Sequence, residues 1–201
     1  MDFLALLSFR RKFLIKSDKN GEINSNYGHY VFYIQLPEAN NQTQYDWVVS
    51  CFRADLDTRQ ALVNISQIHH KTNDVLDFPC TLGLEFFVID GYFCCDIASR
   101  STDVIWGLPY DMGFFSFLIE LLYKDVKRNL LIKDKENFKL GYVCMNTCFT
   151  QIYDITKEKA NDVLDKLISC GQNFSIQMPK IKRVDETIAD IYNDTEKKQK
   201  L

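Results

Sequence analysis

The chain has 201 residues, of which 46% are hydrophobic and 25% charged, with a formal net charge of -3. That size and apolar content suit one globular domain with a sizeable core. The small negative charge excludes bulk attraction to a nucleic acid polymer or an anionic membrane, so any phosphate must be held by a few placed arginines.

The opening stretch Met1 to Leu7 has no basic region before its apolar residues, which does not fit a signal peptide. His29 to Leu36 is rich in Tyr, Val, Phe and Ile and reads as a strand, as does Ala61 to Ile68. Leu82 to Ile89 and Tyr92 to Ala98 flank Asp90-Gly91, so they are predicted to form a hairpin. Pro109 fits the first turn of a helix reaching about Lys127, with Phe114, Phe115, Leu118, Leu121, Leu122 and Val126 on a broad buried face. Its most apolar run, Met112 to Tyr123, contains Glu120 and is too short to cross a bilayer. Tyr142 to Tyr153 reads as a further strand. Thr156 is placed to cap a helix carrying Ala160, Val163, Leu164, Leu167 and Ile168 on one stripe and ending at Gly171. Phe174 to Met178 is one more strand candidate, and Asn193 to Leu201 is a charged stretch expected to fray. Strands outnumber helices and are partly joined by hairpins, which predicts an α+β fold with a mixed sheet in a single domain, residues 1–192, followed by the tail 193–201.

The seven cysteines are Cys51, Cys80, Cys94, Cys95, Cys144, Cys148 and Cys170. Their number is odd, no Cys-x-x-Cys pair occurs, and His69 and His70 have no ligand-spaced cysteines beside them. Reduced thiols in a cytoplasm, without a disulfide framework or metal site, are the expectation. If the source is viral, that is the host's cytoplasm.

Two stretches carry chemistry. In Arg100-Ser101-Thr102-Asp103-Val104-Ile105-Trp106-Gly107-Leu108-Pro109-Tyr110-Asp111, an arginine and a serine together make a compact anion site. Two carboxylates follow on a loop that enters a helix. The plain alternative is a solvated loop with an ordinary helix start. The second stretch is Asp77-Phe78-Pro79-Cys80-Thr81, where a cysteine is held rigidly after proline at the start of a strand. A nearby guanidinium would favour its thiolate and make it a nucleophile, whereas most free cysteines are small buried hydrophobes.

The order of these parts resembles the thymidylate synthase and deoxypyrimidine hydroxymethylase superfamily. Its pattern runs Pro-Cys, strand, turn, strand, then Arg-Ser-x-Asp-x-x-Leu-Gly-x-Pro-Phe-Asn. Gly21-Glu22-Ile23-Asn24-Ser25-Asn26-Tyr27-Gly28 is similar to a segment of phage deoxycytidylate hydroxymethylases. Asp57-Thr58-Arg59 resembles the Asp-Ser-Arg-Arg phosphate loop, and Gln151-Ile152-Tyr153 stands where His-x-Tyr is usual. The resemblance covers roughly residues 20 to 155 in family order.

The resemblance implies a mixed sheet packed with helices, one sheet face forming a homodimer interface, and a pyrimidine nucleoside monophosphate as substrate. It implies that Cys80 attacks C6 of the base, so that C5 can take a one-carbon unit from 5,10-methylenetetrahydrofolate. Arg100 and Ser101 would hold the 5′-phosphate, with Arg59 reaching it from the partner subunit. Tyr153, with Gln151 beside it, would bind the sugar. Asp103 and Gly107 would lie at the base and folate, and Tyr27 would belong to the proton network at C5.

Asp111 stands where thymidylate synthases have Asn, and Asp is what the family's cytidylate hydroxymethylases carry. An amide suits uracil, with its O4 acceptor and N3–H donor, whereas cytosine reverses both groups. A protonated carboxyl, or a carboxylate facing protonated N3, matches cytosine, and desolvation favours the protonated form. The plain alternative is an acid in a first helical turn. The implied activity is therefore a (deoxy)cytidylate 5-hydroxymethylase. The alternatives are a thymidylate synthase acting on dUMP, or an inactive nucleotide-binding homologue or partner subunit. Departures from the family are Gln60 for the second arginine of the phosphate loop, Gln151 for His, Glu85 for Gln, and no glutamate among residues 1–21.

Overall fold

The computed structural model describes residues 23–72, 75–130, 135–170, 181 and 183–198. The expected strand at Phe174 to Met178 and the helix stop at Gly171 lie outside the described residues.

The chain begins with a short helix α1 (Tyr27–Phe32). A small antiparallel pair, β1 (Gln35–Leu36) and β2 (Gln42–Thr43), leads into helix α2 (Gln44–Ala54). Strands β3 (Leu62–Asn64), β4 (Thr81–Ile89) and β5 (Tyr92–Ser99) follow. A two-residue strand β6 (Thr102–Asp103) precedes the long helix α3 (Gly107–Asn129). Strands β7 (Lys139–Thr147) and β8 (Thr150–Gln151) and helices α4 (Lys157–Cys170) and α5 (Val184–Lys198) complete it.

The main sheet has the order β3-β4-β5-β7, with β3, β4 and β5 antiparallel and β7 parallel to β5. The fold is thus α+β with a mixed sheet, as the sequence pattern predicts. At the β4–β5 turn, Asp90 and Gly91 have φ of 50° and 79°, the left-handed pair that matches the twist of a two-residue hairpin. A Cβ at Gly91 would also meet the Asn137 carbonyl at 2.5 Å.

One sheet face supplies Leu84, Phe86, Phe93, Cys95 and Ile97 to the core. These pack with Tyr45, Val48, Val49 and Phe52 of α2 and with Phe115, Leu118, Leu121 and Leu122 of α3. Helix α2 starts with a reciprocal cap: Thr43 Oγ1 accepts from Asp46 N, and the Asp46 carboxylate accepts from Thr43 N. Asp125 of α3, 3% exposed, accepts from Tyr45 Oη at 3.0 Å and Arg128 Nε at 2.7 Å. Arg128 also pairs with Asp185 of α5, so Asp125 and Arg128 together link α2, α3 and α5.

Several local expectations are corrected. Residues 29–32 are helical, not extended, because Asn26 caps α1 and Tyr30, Val31 and Phe32 are all buried against the core. Aromatic and β-branched residues record burial as much as strand, and here burial decides. The strand expected over Ala61 to Ile68 is three residues long, and that expected over Tyr142 to Tyr153 begins at Lys139 and breaks at Cys148. Thr156 directly precedes α4, but its hydroxyl donates to the Tyr153 carbonyl at 2.9 Å. In α4 only Ala160 of the apolar stripe is buried, while Val163, Leu164, Leu167 and Ile168 are exposed. The backbone of α5 stays helical to Lys198, past the start of the expected tail at Asn193, because Ile188, Ile191 and Tyr192 anchor it to the core.

Candidate functional site

The site forms where the start of β4, the end of β5 and the start of α3 meet. Antiparallel pairing puts the β4 start and the β5 end at one edge, with Thr81 opposite Ser99. The Cys80 carbonyl accepts from Arg100 N at 2.9 Å and from Ser99 Oγ at 3.1 Å. The residue before β4 is therefore fastened to the residue after β5.

Arg100 completes that fastening. Its Nε donates to the Pro79 carbonyl at 3.0 Å, Nη2 to the Phe78 carbonyl at 2.8 Å, and Nη1 to Ser101 Oγ at 3.3 Å. The guanidinium also lies over the Phe78 ring, 5.1 Å from its centre. A guanidinium has five N–H donors, so one on each terminal nitrogen remains for an anion.

The half-buried Cys80 has its Sγ 3.5 Å from Ser101 Oγ. Because that hydroxyl accepts from Arg100, its own proton is free to point at sulfur. Arg100, Ser101 and the Cys80 thiol thus form one hydrogen-bonded run.

Tyr27 reaches the same edge from α1, with its ring stacked on Phe115 at 6.0 Å and its hydroxyl accepting from Thr81 N at 3.3 Å. Burial, then the charges of Asp111 and Cys80, push its phenol up to about 12. At neutral pH it is a proton donor. Asp111 lies half-buried in α3 near this phenol, and burial pushes its carboxyl up to about 7.

Asp103 Oδ1 accepts from Ile105 N at 3.1 Å and Trp106 N at 2.5 Å. Its Oδ2 is buried with no hydrogen-bond partner among the described residues, an acceptor suited to the N–H groups of a base or a pterin. Gly107 is where α3 passes β6 so closely that a Cβ would lie 3.2 Å from Thr102 Oγ1.

Cys80, Arg100, Ser101, Tyr27, Asp103, Gly107 and Asp111 therefore gather at one edge. Gln151 and Tyr153 stand at its margin. Gln151 pairs with Asp103 in the β6–β8 ladder, and its Nε2 donates to Tyr153 Oη at 2.8 Å, with both side chains exposed. Arg59 is exposed in the loop before β3, and no hydrogen bond or ion pair joins it to these residues among the described residues. Glu85 is exposed in mid-strand, opposite Asp96.

The thymidylate synthase family model matches residues 11–194. The chain belongs to the thymidylate synthase family. Thymidylate synthases of Coxiella burnetii, strains Dugway 5J108-111 and RSA 331 / Henzerling II, are each 26% identical over 106 residues, 53% of this chain and 40% of theirs. The thermostable thymidylate synthase A of Bacillus subtilis shares the fold at a TM-score of 0.59 and 14% identity, covering 76% of this chain and 52% of its own. The chain thus spans about half or less of the length of these relatives.

Within this family frame, sequence reasoning missed Asp77. Its carboxylate, 5% exposed, accepts from Ser25 N at 2.7 Å and Ser25 Oγ at 2.8 Å. Its carbonyl accepts from Asn24 Nδ2 at 2.9 Å. The only signal in the sequence is a charged residue directly before the apolar Phe-Pro-Cys run. His70, fully buried, serves packing: Nδ1 accepts from Gln67 N, and Nε2 lies 2.6 Å from Tyr30 Oη.

Proposed function

We propose that this chain binds a pyrimidine nucleoside 5′-monophosphate and transfers a one-carbon unit to C5, with cytosine as the preferred base. The observation that carries the reading is the hydrogen-bonded run from Arg100 through Ser101 to the Cys80 thiol, beside a protonated Tyr27.

The free N–H groups of Arg100 and the Ser101 hydroxyl suit a phosphate. Cys80 as thiolate adds to C6, which places electron density on C5. 5,10-Methylenetetrahydrofolate supplies the one-carbon electrophile when bound. The acceptor left open on Asp103 and the close backbone approach at Gly107 fit a flat, donor-bearing ring at that position. Tyr27 keeps its proton at neutral pH and handles proton transfer at C5. Gln151 and Tyr153, at the margin, suit the sugar hydroxyls.

Asp111 supports cytosine. With its pKa near 7, a protonated carboxyl offers a donor to N3 and an acceptor to the N4 amino group. Uracil would leave both mismatched. Each buried unpaired group costs about 1–3 kcal/mol, so discrimination of roughly tenfold to several hundredfold follows. The product would be a hydroxymethylated (deoxy)cytidylate.

A homodimer fits the same frame. Leu62, Ile89, Tyr92 and Tyr142 leave an apolar stretch exposed on the sheet, and a partner subunit there would bring its own Arg59 towards the phosphate.

A second reading, a thymidylate synthase acting on dUMP, is favoured by the similarity to thymidylate synthases. A third, an inactive nucleotide-binding partner subunit, is favoured by the short span relative to those proteins. Exchange of C5 tritium from labelled dCMP and dUMP separates all three, because it reports thiol addition without folate. Faster exchange from dCMP, reversed by Asp111→Asn, is expected. Exchange from dUMP alone, or from neither, overturns the proposal.

A further inference from the structure

Asp77 and Ser25 lie 52 residues apart in sequence and are joined by two hydrogen bonds to one buried carboxylate. We propose that this Ser25–Asp77 clamp is a positioning device that sets the Tyr27 hydroxyl against the Cys80 thiol. The inference deepens the reading of the site given above and rests on it.

The geometry is a closed frame. From the clamp, one chain runs two residues to Tyr27 and the other runs three to Cys80 and four to Thr81. The two meet again where Thr81 N donates to Tyr27 Oη at 3.3 Å. Asn24 Nδ2 on the Asp77 carbonyl braces the same end of the frame. The loop between is held from the other side, since Arg100 takes the Phe78 and Pro79 carbonyls and lies over the Phe78 ring. Arg100 fixes the loop to β5, where the phosphate groups stand. The clamp, braced by Asn24, ties its entrance to the turn before α1, where the phenol stands. The two attachments serve different parts of the site, so they are separable by experiment.

A buried carboxylate is a costly tether between two loops unless its oxygens are fully used. Here Ser25 satisfies both, through a backbone N–H whose position is set by the turn that leads into α1. No cation pairs with Asp77 among the described residues, and Arg100 gives two of its donors to the Phe78 and Pro79 carbonyls. Asp77 thus acts as a geometric link and not as a charge partner of the phosphate site.

The test compares Ser25→Ala, Asp77→Ala, Asp77→Asn and the Ser25→Ala/Asp77→Ala pair in the full chain, each confirmed folded by thermal melting. Tritium exchange from dCMP reads the Tyr27 and Cys80 chemistry, and calorimetry with dCMP reads binding. Misplacement of reacting groups by a fraction of an ångström predicts exchange slowed by about tenfold in each alanine variant. The pair should be no slower than the worse single, because both changes cut one link. Asp77→Asn should recover most of the rate, since its amide pairs with Ser25 in the same shape. The Kd for dCMP should move by less than about threefold, because Arg100 and Ser101 are untouched.

Unchanged exchange in Ser25→Ala and Asp77→Ala overturns the proposal. So does a loss of binding as large as the loss of rate, or single effects that multiply in the pair. If Asp77→Ala does not fold, Ser25→Ala and Asp77→Asn carry the comparison. If wild type exchanges no nucleotide at all, the functional reading fails by itself, and iodoacetamide labelling of Cys80 then decides the clamp. Ser25→Ala should accelerate that labelling about threefold or more by freeing the loop, and an unchanged rate overturns it.

Discussion

Asp111→Asn isolates the most unusual titration in the site. Burial raises the Asp111 carboxyl from an ordinary 3.8 to about 7. The unfolded chain loses this proton near pH 4 and the folded chain keeps it until near pH 7. The native state therefore holds one more proton between those values. Stability from this group is fully present below about pH 4 and declines by about 1.4 kcal/mol per pH unit as pH rises towards 7. Above pH 7 the accumulated loss is about 4 kcal/mol, the cost of keeping an ionised carboxylate in that position. Asparagine has nearly the same shape and no titration. Urea denaturation of both proteins at half-unit steps from pH 5 to 8 gives the difference in stability at each pH, which cancels every other titrating group. Relative to wild type, the variant should gain about 2 kcal/mol between pH 5 and pH 7, and the gain should level off above that. A difference that stays flat across the range would mean that Asp111 is solvated in solution, and the protonated-carboxyl argument for cytosine would fall with it.

Other outcomes follow from the same structure. Excess dCMP should slow alkylation of Cys80 at least about tenfold and leave the exposed Cys144 and Cys148 unaffected, as read by peptide mapping. The buried Cys51 and Cys95, whose thiols burial pushes up, should label only on unfolding. Phe93→Ala removes a fully buried ring that packs on Phe52, Phe86 and Phe138, and should lower unfolding free energy by about 3–5 kcal/mol in urea. Asp125→Ala leaves the buried Tyr45 hydroxyl and Arg128 Nε without their shared partner, and should cost about 2–3 kcal/mol in the same assay.

The elements legible in the sequence were those in which local chemistry and tertiary context agree. Asp90-Gly91 supplies two residues able to take positive φ, so the β4–β5 hairpin follows from its turn. The apolar face of α3 is wide enough to require burial, and Phe115, Leu118, Leu121 and Leu122 are all buried. Helix α1 was not legible, because Tyr30, Val31 and Phe32 satisfy strand and helix patterns equally, and the deciding cap is a single Asn26. The grouping of Cys80, Arg100 and Ser101 was legible through motif order. The Ser25–Asp77 link was not, because nothing local to either residue points to a partner 52 positions away. Arg59 marks the opposite limit: the resemblance names it, yet among the described residues no hydrogen bond or ion pair ties it to another site residue.

That isolation of Arg59 bears on how a phosphate is held. Three of the five Arg100 donors are spent within the protein, two of them on loop carbonyls that keep Cys80 in place. What remains is one N–H on each terminal nitrogen, together with the hydroxyl of Ser101, which is also engaged with the Cys80 sulfur. A dianionic phosphate has more acceptor capacity than these groups fill. On the proposed reading Arg100 would be chiefly a scaffold for Cys80 and secondarily a phosphate ligand. On the proposed reading a further cation is needed beside those of the described site, and Arg59 of a second copy of the chain is the one proposed to supply it. On this argument Arg59→Ala should weaken dCMP binding about tenfold or more while leaving Cys80 labelling without nucleotide unchanged. Arg100→Ala should alter both. Mixing Arg59→Ala with Cys80→Ala protomers should restore exchange, because one site of the mixed dimer would regain both groups. Failure of that complementation, with both variants folded and dimeric, would place Arg59 outside the phosphate site.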